Sequence, residues 1–367
     1  MVSKALVVGA YQRKAEELAR LPDVELTLAV PPYWREGRHR QTLERAHTAG
    51  YSLVVLPMAL NGHYHVHFYR RLAALIDVVA PDVLHMDEEP YNLATFQGLR
   101  LAVTRRIPAL FYTWRNIDHR YPPPFSLIER YNVRHAAYGI AGNEDAAAIT
   151  RARGYRGPLA IIPQFGVDPD IFHPREPRDG HDNGRFVIGF VGRLIPAKGL
   201  RVLLEALAGA PGDWELRVVG TGEERQPAEA LAMRLDLAER VVFLGQQPST
   251  AMPDVVREFD LLVGPSLTAP TWKEQFGRML VEAMSCGVPV IGSDSGEIPN
   301  VIGEAGVVVP EGNVPLLRDA IVRLRGDPTE RQRLATLGRA RVLDLYTQAA
   351  IARRYHEVYA RMQRGDV

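Results

Sequence analysis

Residues 273–289 read KEQFGRMLVEAMSCGVP, with two glutamates, Glu274 and Glu282, eight positions apart. Met279, Leu280, Ala283 and Met284 recur at helical spacing and mark one buried face of a helix starting at Gly277. Glu274 then precedes that helix, in the loop after GPSLTAPTWK, and Glu282 lies more than a turn inside it. The two carboxylates sit on different elements and need not face each other. Spacing alone fits two solvated acids, because exposed glutamate is the common case. The alternative is a ligand site: the first turn of such a helix leaves backbone N–H groups aimed at an anion. What surrounds the stretch decides between the two.

Outward from it, short apolar runs alternate with helix-period segments. FVIGFVG (186–192), ELRVVG (215–220), VVFLG (241–245), DLLVGPS (260–266), PVIGSD (289–294) and GVVVP (306–310) read as strands. GLRVLLEALAG, ERQPAEALAMRLDL and GRMLVEAMSCG read as helices between them. The same alternation runs through the first half. ALVVG (5–9), ELTLAV (25–30), SLVVLP (52–57), DVLHMD (82–87), PALFYT (108–113) and GIAGN (139–143) are its strands. Residues 166–185 break the pattern with Pro, Gly and charge and read as a linker. The expectation is α/β: two doubly wound, Rossmann-like domains with parallel sheets facing a central crevice. One spans 1–170 and the other 171–346, with a C-terminal helix at 347–367 packing back on the first. Ligands of such sheets bind outside the carboxyl ends of the strands.

The bulk numbers narrow the classes. The chain has 367 residues, 46% of them hydrophobic and 24% charged, which suits two globular domains. Lys plus Arg (44) nearly balances Asp plus Glu (43), so nothing drives the whole chain toward nucleic acid. One cysteine, Cys286, allows no internal disulfide and argues for a reducing compartment. The opening MVSKALVVGAYQRK is too short an apolar run for a signal peptide, and no run reaches the ~18 apolar residues of a membrane span. A cytoplasmic location is expected.

FVGRLIPAKGL (190–200) places Arg193 and Lys198 just past the carboxyl end of a strand and before a helix. Two cations there suit a pyrophosphate and would neutralise a diphosphate leaving group. After it come VVGTGEE (218–224), FLGQQPSTAMPD (243–254), and then EQFGRMLVE, AMSCGVPVI and SGEIPNVI in order. This succession resembles the family 4 (group 1) glycosyltransferases, retaining enzymes of the GT-B fold, over essentially the whole second domain. The resemblance implies that Arg193, Lys198 and Glu274 are catalytic, the first two on the donor diphosphate and Glu274 on hydroxyls of the transferred sugar. It implies donor contacts from Gly192, Gly222, Gln247, Phe276 and Gly277, with Glu282 on the nucleotide ribose. The activity implied is metal-independent transfer of a hexose from a nucleotide-diphospho-sugar, UDP- or GDP-linked, to a hydroxyl of a glycan, glycolipid or small molecule. The donor is a substrate; no cofactor is expected, and the oligomeric state is left unassigned. The rival readings are a nucleotide-sugar epimerase, a phosphorylase, and a catalytically weak nucleotide-sugar binder. An oxidoreductase is disfavoured, since the first strand is followed by no G-x-G-x-x-G.

The first domain carries less specific signals. Asp87, Glu88 and Glu89 end a buried strand and are acceptor-side candidates; the bland reading has them capping the helix near 91. After PALFYT the resembled family often has a histidine, whereas this chain reads WRN, so Trp114, Arg115 and Asn116 are the candidates there. The family's glycine-rich first loop is reduced to Gly9, with Arg13 an extra cation. His63, His65 and His67 tempt a metal reading, but no Cys or Asp completes a set and a polar surface is expected. No metal site is assigned. A basic set (Arg70, Arg71, Arg100, Arg105, Arg106), with Trp34 and Arg35, leaves open peripheral contact with the inner face of a membrane.

Overall fold

The computed structural model describes residues 1–37, 39–175 and 185–366; residues 176–184 of the stretch read as a linker lie outside the described residues. The chain divides into two compact units, Met1–Gly166 with Gln348–Val367, and Val167–Thr347.

The second unit is a six-stranded parallel sheet. Its strands lie in the order Val241–Gly245, Trp214–Val219, Phe186–Val191, Leu261–Gly264, Val290–Ser293, Val307–Val309. The order reverses between Phe186–Val191 and Leu261–Gly264, which pair Ile188 with Leu261 and Gly189 with Leu262. That is the switch point at which doubly wound sheets bind ligands. The near-continuous apolar runs follow from helices on both faces. Ile188, Phe190, Leu216 and Val218 pack with Leu203, Leu204 and Leu207 of the helix Leu200–Ala208. On the other face Leu262 and Val290 pack with Leu280, Val281 and Met284 of the helix Arg278–Ser285. Val281, at 1% exposure, belongs to that buried face, while Met279 is only half-buried.

The first unit repeats the topology. Ser52–Val55 pairs with Thr27–Val30, and Leu84–Met86, Ala109–Thr113, Tyr138–Ala141 and Leu159–Ile161 follow in parallel. The central place is taken by Val2, which bridges Ala29 on one side and Met86 on the other. This corrects the expected strand at 5–9: Ala5–Val7 and Gly9–Gln12 are 3-10 turns. Val2 already fills the sheet, and the coiling that follows sends Leu6 into the core at 0% exposure. The side chain of Gln12 ties the coil by donating to the carbonyls of Leu6 and Glu44 at 2.9 and 2.7 Å. The helix Gln348–Arg364 returns to this unit, burying Ile351, Tyr355 and Val358. Among the described residues no helix is long and apolar enough to cross a membrane.

Candidate functional site

The second unit brings several of the side chains singled out from the sequence together at the switch point. Lys198 ends the short turn Pro196–Lys198 after the strand Phe186–Val191. Glu274 follows the strand Leu261–Gly264, beyond the loop 266–273. The two loops touch: a Cβ on Gly199 would stand 1.9 Å from the Pro265 carbonyl oxygen, and Gly199 has φ +72°. Only glycine fits there. The contact brings Lys198 Nζ to 2.5 Å from Glu274 Oε2, with the two side chains 13% and 10% exposed.

Glu274 is held from several sides. The Ser266 hydroxyl donates to Oε2 at 3.1 Å and the Gly277 N–H to Oε1 at 3.3 Å. Its own carbonyl accepts the Glu297 N–H at 3.1 Å. Gly277, at φ +73°, turns the chain into the helix Arg278–Ser285. The Phe276 ring packs edge-on to Tyr346 at 5.6 Å, which fixes the backbone at the helix entrance. Lys198, Glu274 and the helix start therefore form one cluster, with the Trp272 ring 5.0 Å from Lys198 Nζ.

The other residues singled out from the sequence lie around this cluster or apart from it. Gly192 sits beside the Lys198 stem, 3.7 Å from where its Cβ would be, and Arg193 next to it is exposed. Gly222 packs so closely that a Cβ would meet the Leu194 carbonyl oxygen at 2.2 Å. The Gln247 side-chain amide donates to the Leu244 carbonyl at 2.7 Å, which stiffens that turn. Glu282 lies inside the helix Arg278–Ser285, one turn past its start. It pairs with Arg278 at 2.9 Å, and burial raises its pKa against the pull of that arginine. Sequence reasoning missed Ser266, Trp272 and Gly296. Gly296 has φ +55°, and a Cβ there would lie 2.0 Å from the Glu274 carbonyl oxygen. The SGE tripeptide after a strand was a usable signal for it; Ser266 and Trp272 have none outside the fold.

In the first unit, Asp87, Glu88 and Glu89 follow the strand Leu84–Met86, beside Ser3 and Lys4 at that unit's own switch point. Asp87 and Glu88 are turned inward at 3% and 2% exposure. Asp87 accepts from the Ser3 hydroxyl at 2.7 Å and the Gln164 amide at 2.9 Å. Glu88 accepts from Lys4, from the Tyr69 hydroxyl at 3.0 Å and from the Asn92 amide at 3.4 Å. Burial pushes the Glu88 pKa up, but Lys4 and His67 overcome it and leave the group at about 2. Neither acid caps the following helix, Leu93–Arg105, whose start has no side-chain cap. Glu89 accepts the Thr113 hydroxyl at 2.7 Å and the Trp114 N–H at 2.8 Å, and burial raises its pKa. Trp114 donates its indole N–H to Gln164 at 2.7 Å, Asn116 is half-buried, and Arg115 is bound to Glu129 inside the unit. Glu89 and Trp114 thus share one loop cluster, with the half-buried Asn116 two residues further along the chain, while Asp87 and Glu88 are turned inward beside it.

Two expectations fail in detail. His67 is fully buried rather than on a polar surface, set edge-on to Trp34 at 5.3 Å and 3.4 Å from Glu88. Its neighbour His65 lies among the rings of Tyr91, Tyr121 and Phe125. Arg13 is engaged by Glu16 and Glu17 at 3.0 and 3.2 Å.

The two doubly wound units have the GT-B fold of the solved structures compared below. Residues 175–341, most of the second unit, match the family model for glycosyl transferases group 1. The chain is 29% identical over 278 residues to a 2-deoxystreptamine glucosyltransferase of Streptomyces kanamyceticus, covering 72% of this chain and 68% of that protein. It is 32% identical over 200 residues to a phosphatidyl-myo-inositol mannosyltransferase of Mycobacterium leprae, covering 53% and 51%. Apart from the first, the chain spans about half the length of the curated relatives it matches, or less. Among solved structures, Anabaena Alr3699/HepE in complex with UDP superposes with a TM-score of 0.71 at 19% identity, covering 98% of both chains. Sucrose-phosphate synthase from Thermosynechococcus elongatus gives 0.69 at 21%, covering 97% of this chain and 93% of that one. These two likenesses concern the fold.

Proposed function

We propose that the protein transfers a hexose from a UDP- or GDP-linked sugar to a hydroxyl acceptor, with retention at the anomeric carbon and without a metal. The Lys198–Glu274 pair at the entrance of the helix Arg278–Ser285 carries this reading. Lys198 and Arg193 meet the diphosphate, and the N–H groups near Gly277 add positive potential. As the anomeric C–O bond breaks, these groups stabilise the charge that grows on the leaving diphosphate. Glu274 orients the sugar through its hydroxyls, Gly192, Gly222, Gln247 and Phe276 shape the donor pocket, and Glu282 accepts from the ribose. The acceptor oxygen bonds to the anomeric carbon on the face the diphosphate leaves, and its proton passes to a diphosphate oxygen. No protein nucleophile is then needed.

Glu89, Trp114 and Asn116 are the acceptor-side residues; Asp87 and Glu88 hold the loop that carries them. The relatives named for 2-deoxystreptamine and phosphatidyl-myo-inositol support a polyol acceptor, free or lipid-linked. Exposed Arg70, Arg71, Arg100 and Arg106 with Val78 (84% exposed) and Val103 support contact with an anionic membrane surface. The test is incubation with labelled UDP-, GDP-, ADP- and dTDP-sugars in EDTA, with polyol acceptors, following nucleoside diphosphate release. The anomeric configuration of the product is read by NMR. Release that requires a divalent cation, or an inverted product, refutes the corresponding part.

A further inference from the structure

The loop SLTAPTWK, 266–273, links a central strand to Glu274 and is tied down along its length. The Leu267 N–H donates at 2.7 Å to the carbonyl of Ala197, in the turn that carries Lys198. The Thr268 hydroxyl donates to Glu311 at 2.5 Å. Ala269 and Trp272 exchange backbone hydrogen bonds at 2.8 and 3.1 Å, closing a tight loop. The indole at its end is half-buried, and Lys198 Nζ lies 5.0 Å from its ring centroid. The ammonium is therefore flanked by one carboxylate, Glu274, and one aromatic face.

We propose that Trp272 is a positioning residue for Lys198, its ring holding the ammonium where the donor diphosphate arrives; this rests on the donor-site reading above. Glu274 neutralises Lys198 across a 2.5 Å pair. A bound donor asks Glu274 to serve sugar hydroxyls and asks Lys198 to face a phosphate. A second acid beside Lys198 would compete with the diphosphate for the ammonium. An aromatic face attracts a cation through its quadrupole and carries no net charge. It restrains a long, flexible side chain while leaving the full charge available to the ligand. The bonds of Leu267 to Ala197, Thr268 to Glu311 and Trp272 to Ala269 hold the loop backbone that carries the indole, so the ring acts as a fixed rest.

The test is the series Trp272→Tyr, Trp272→Phe and Trp272→Leu, with Lys198→Met and the Trp272→Leu/Lys198→Met double variant, in the full chain. Calorimetry reads the affinity for UDP and GDP and for their nucleosides, and donor turnover gives kcat. Diphosphate affinity should fall in the order Trp, Tyr, Phe, Leu, by roughly 3- to 30-fold at Leu. Nucleoside affinity should stay level along the series, and kcat should fall with diphosphate affinity. In the Lys198→Met background, Trp272→Leu should cost less than about twofold more. Equal losses for nucleoside and diphosphate, or losses that multiply in the double variant, overturn the proposal. The Tyr and Phe variants decide the matter if the Leu variant does not fold. If the unaltered chain binds neither diphosphate, the donor-site reading itself fails, which is a separate result.

Discussion

Glu274→Gln keeps the shape of the side chain and removes the charge that faces Lys198. The pair is about nine-tenths buried, with side chains 13% and 10% exposed. Breaking a fully buried pair costs ~3–5 kcal/mol, because a charge is left uncompensated; an exposed pair is worth ~0–1 kcal/mol. Lys198 keeps the Trp272 face and is already 13% exposed, so the loss should be about 2 kcal/mol. For a unit of ~150–250 residues, 1 kcal/mol moves Tm by ~2–4 °C, so the second unit should melt ~4–8 °C lower. A nucleoside diphosphate supplies the missing anion. At 100 times its Kd it stabilises by ~2.7 kcal/mol, which returns the variant to near the unliganded wild-type Tm. Sugar transfer should drop by about 100-fold or more, since the sugar loses its positioning contact. Scanning fluorimetry with and without UDP and GDP, alongside nucleoside diphosphate release, reads both effects. A variant that melts with the wild type and turns over at the wild-type rate refutes the placing of this pair at the centre of the site.

Other expectations follow from the same geometry. Gly296→Ala forces a side chain onto φ +55° and against the Glu274 carbonyl oxygen at 2.0 Å, so it should cost about 2 kcal/mol or more and lower transfer; thermal melting and turnover read both. Glu88 has its pKa depressed to about 2, so its stabilisation is present above the usual glutamate value and lost as pH falls toward 2. Glu88→Gln should therefore cost roughly 3 kcal/mol at neutral pH and flatten the acid limb of the stability curve, measured by urea titration across pH. Glu282 has a raised pKa, so the folded state keeps the proton longer and its contribution to stability falls as pH rises through that window. Glu282→Gln should gain stability on the wild type as pH rises above the usual glutamate range, while binding nucleoside diphosphate more weakly. A variant that loses both stability and affinity would assign Glu282 to the framework.

Much of the fold was legible because strand and helix periods are local. The six runs of the second unit became the six strands, and EQFGRMLVE marked the turn into a helix with one apolar face. The strand expected at 5–9 was misread because ALVVG has strand composition, and only the neighbours Ala29 and Met86 show that Val2 already fills that place. His67 and the acids at 87–89 were read from a flank of polar residues. Their burial depends on Ser3, Lys4, Tyr69 and Gln164, which come from distant parts of the chain.

The sequence by itself determined two α/β units and the order of Arg193, Lys198, Glu274 and Glu282 along strand ends and a helix start. Each of these is a pattern within a few turns of chain, where backbone period and turn chemistry act directly. The tertiary structure alone decided which of those groups meet. Lys198 and Glu274 are 76 positions apart, and their contact exists because strands first and fourth in the unit lie side by side at the switch point. It placed Trp272 against Lys198, whereas the Arg278–Glu282 pair is an i,i+4 contact that helical spacing already implies. Pair distances across a sheet are set by strand order and loop approach, and neither is written in the spacing of residues along one chain.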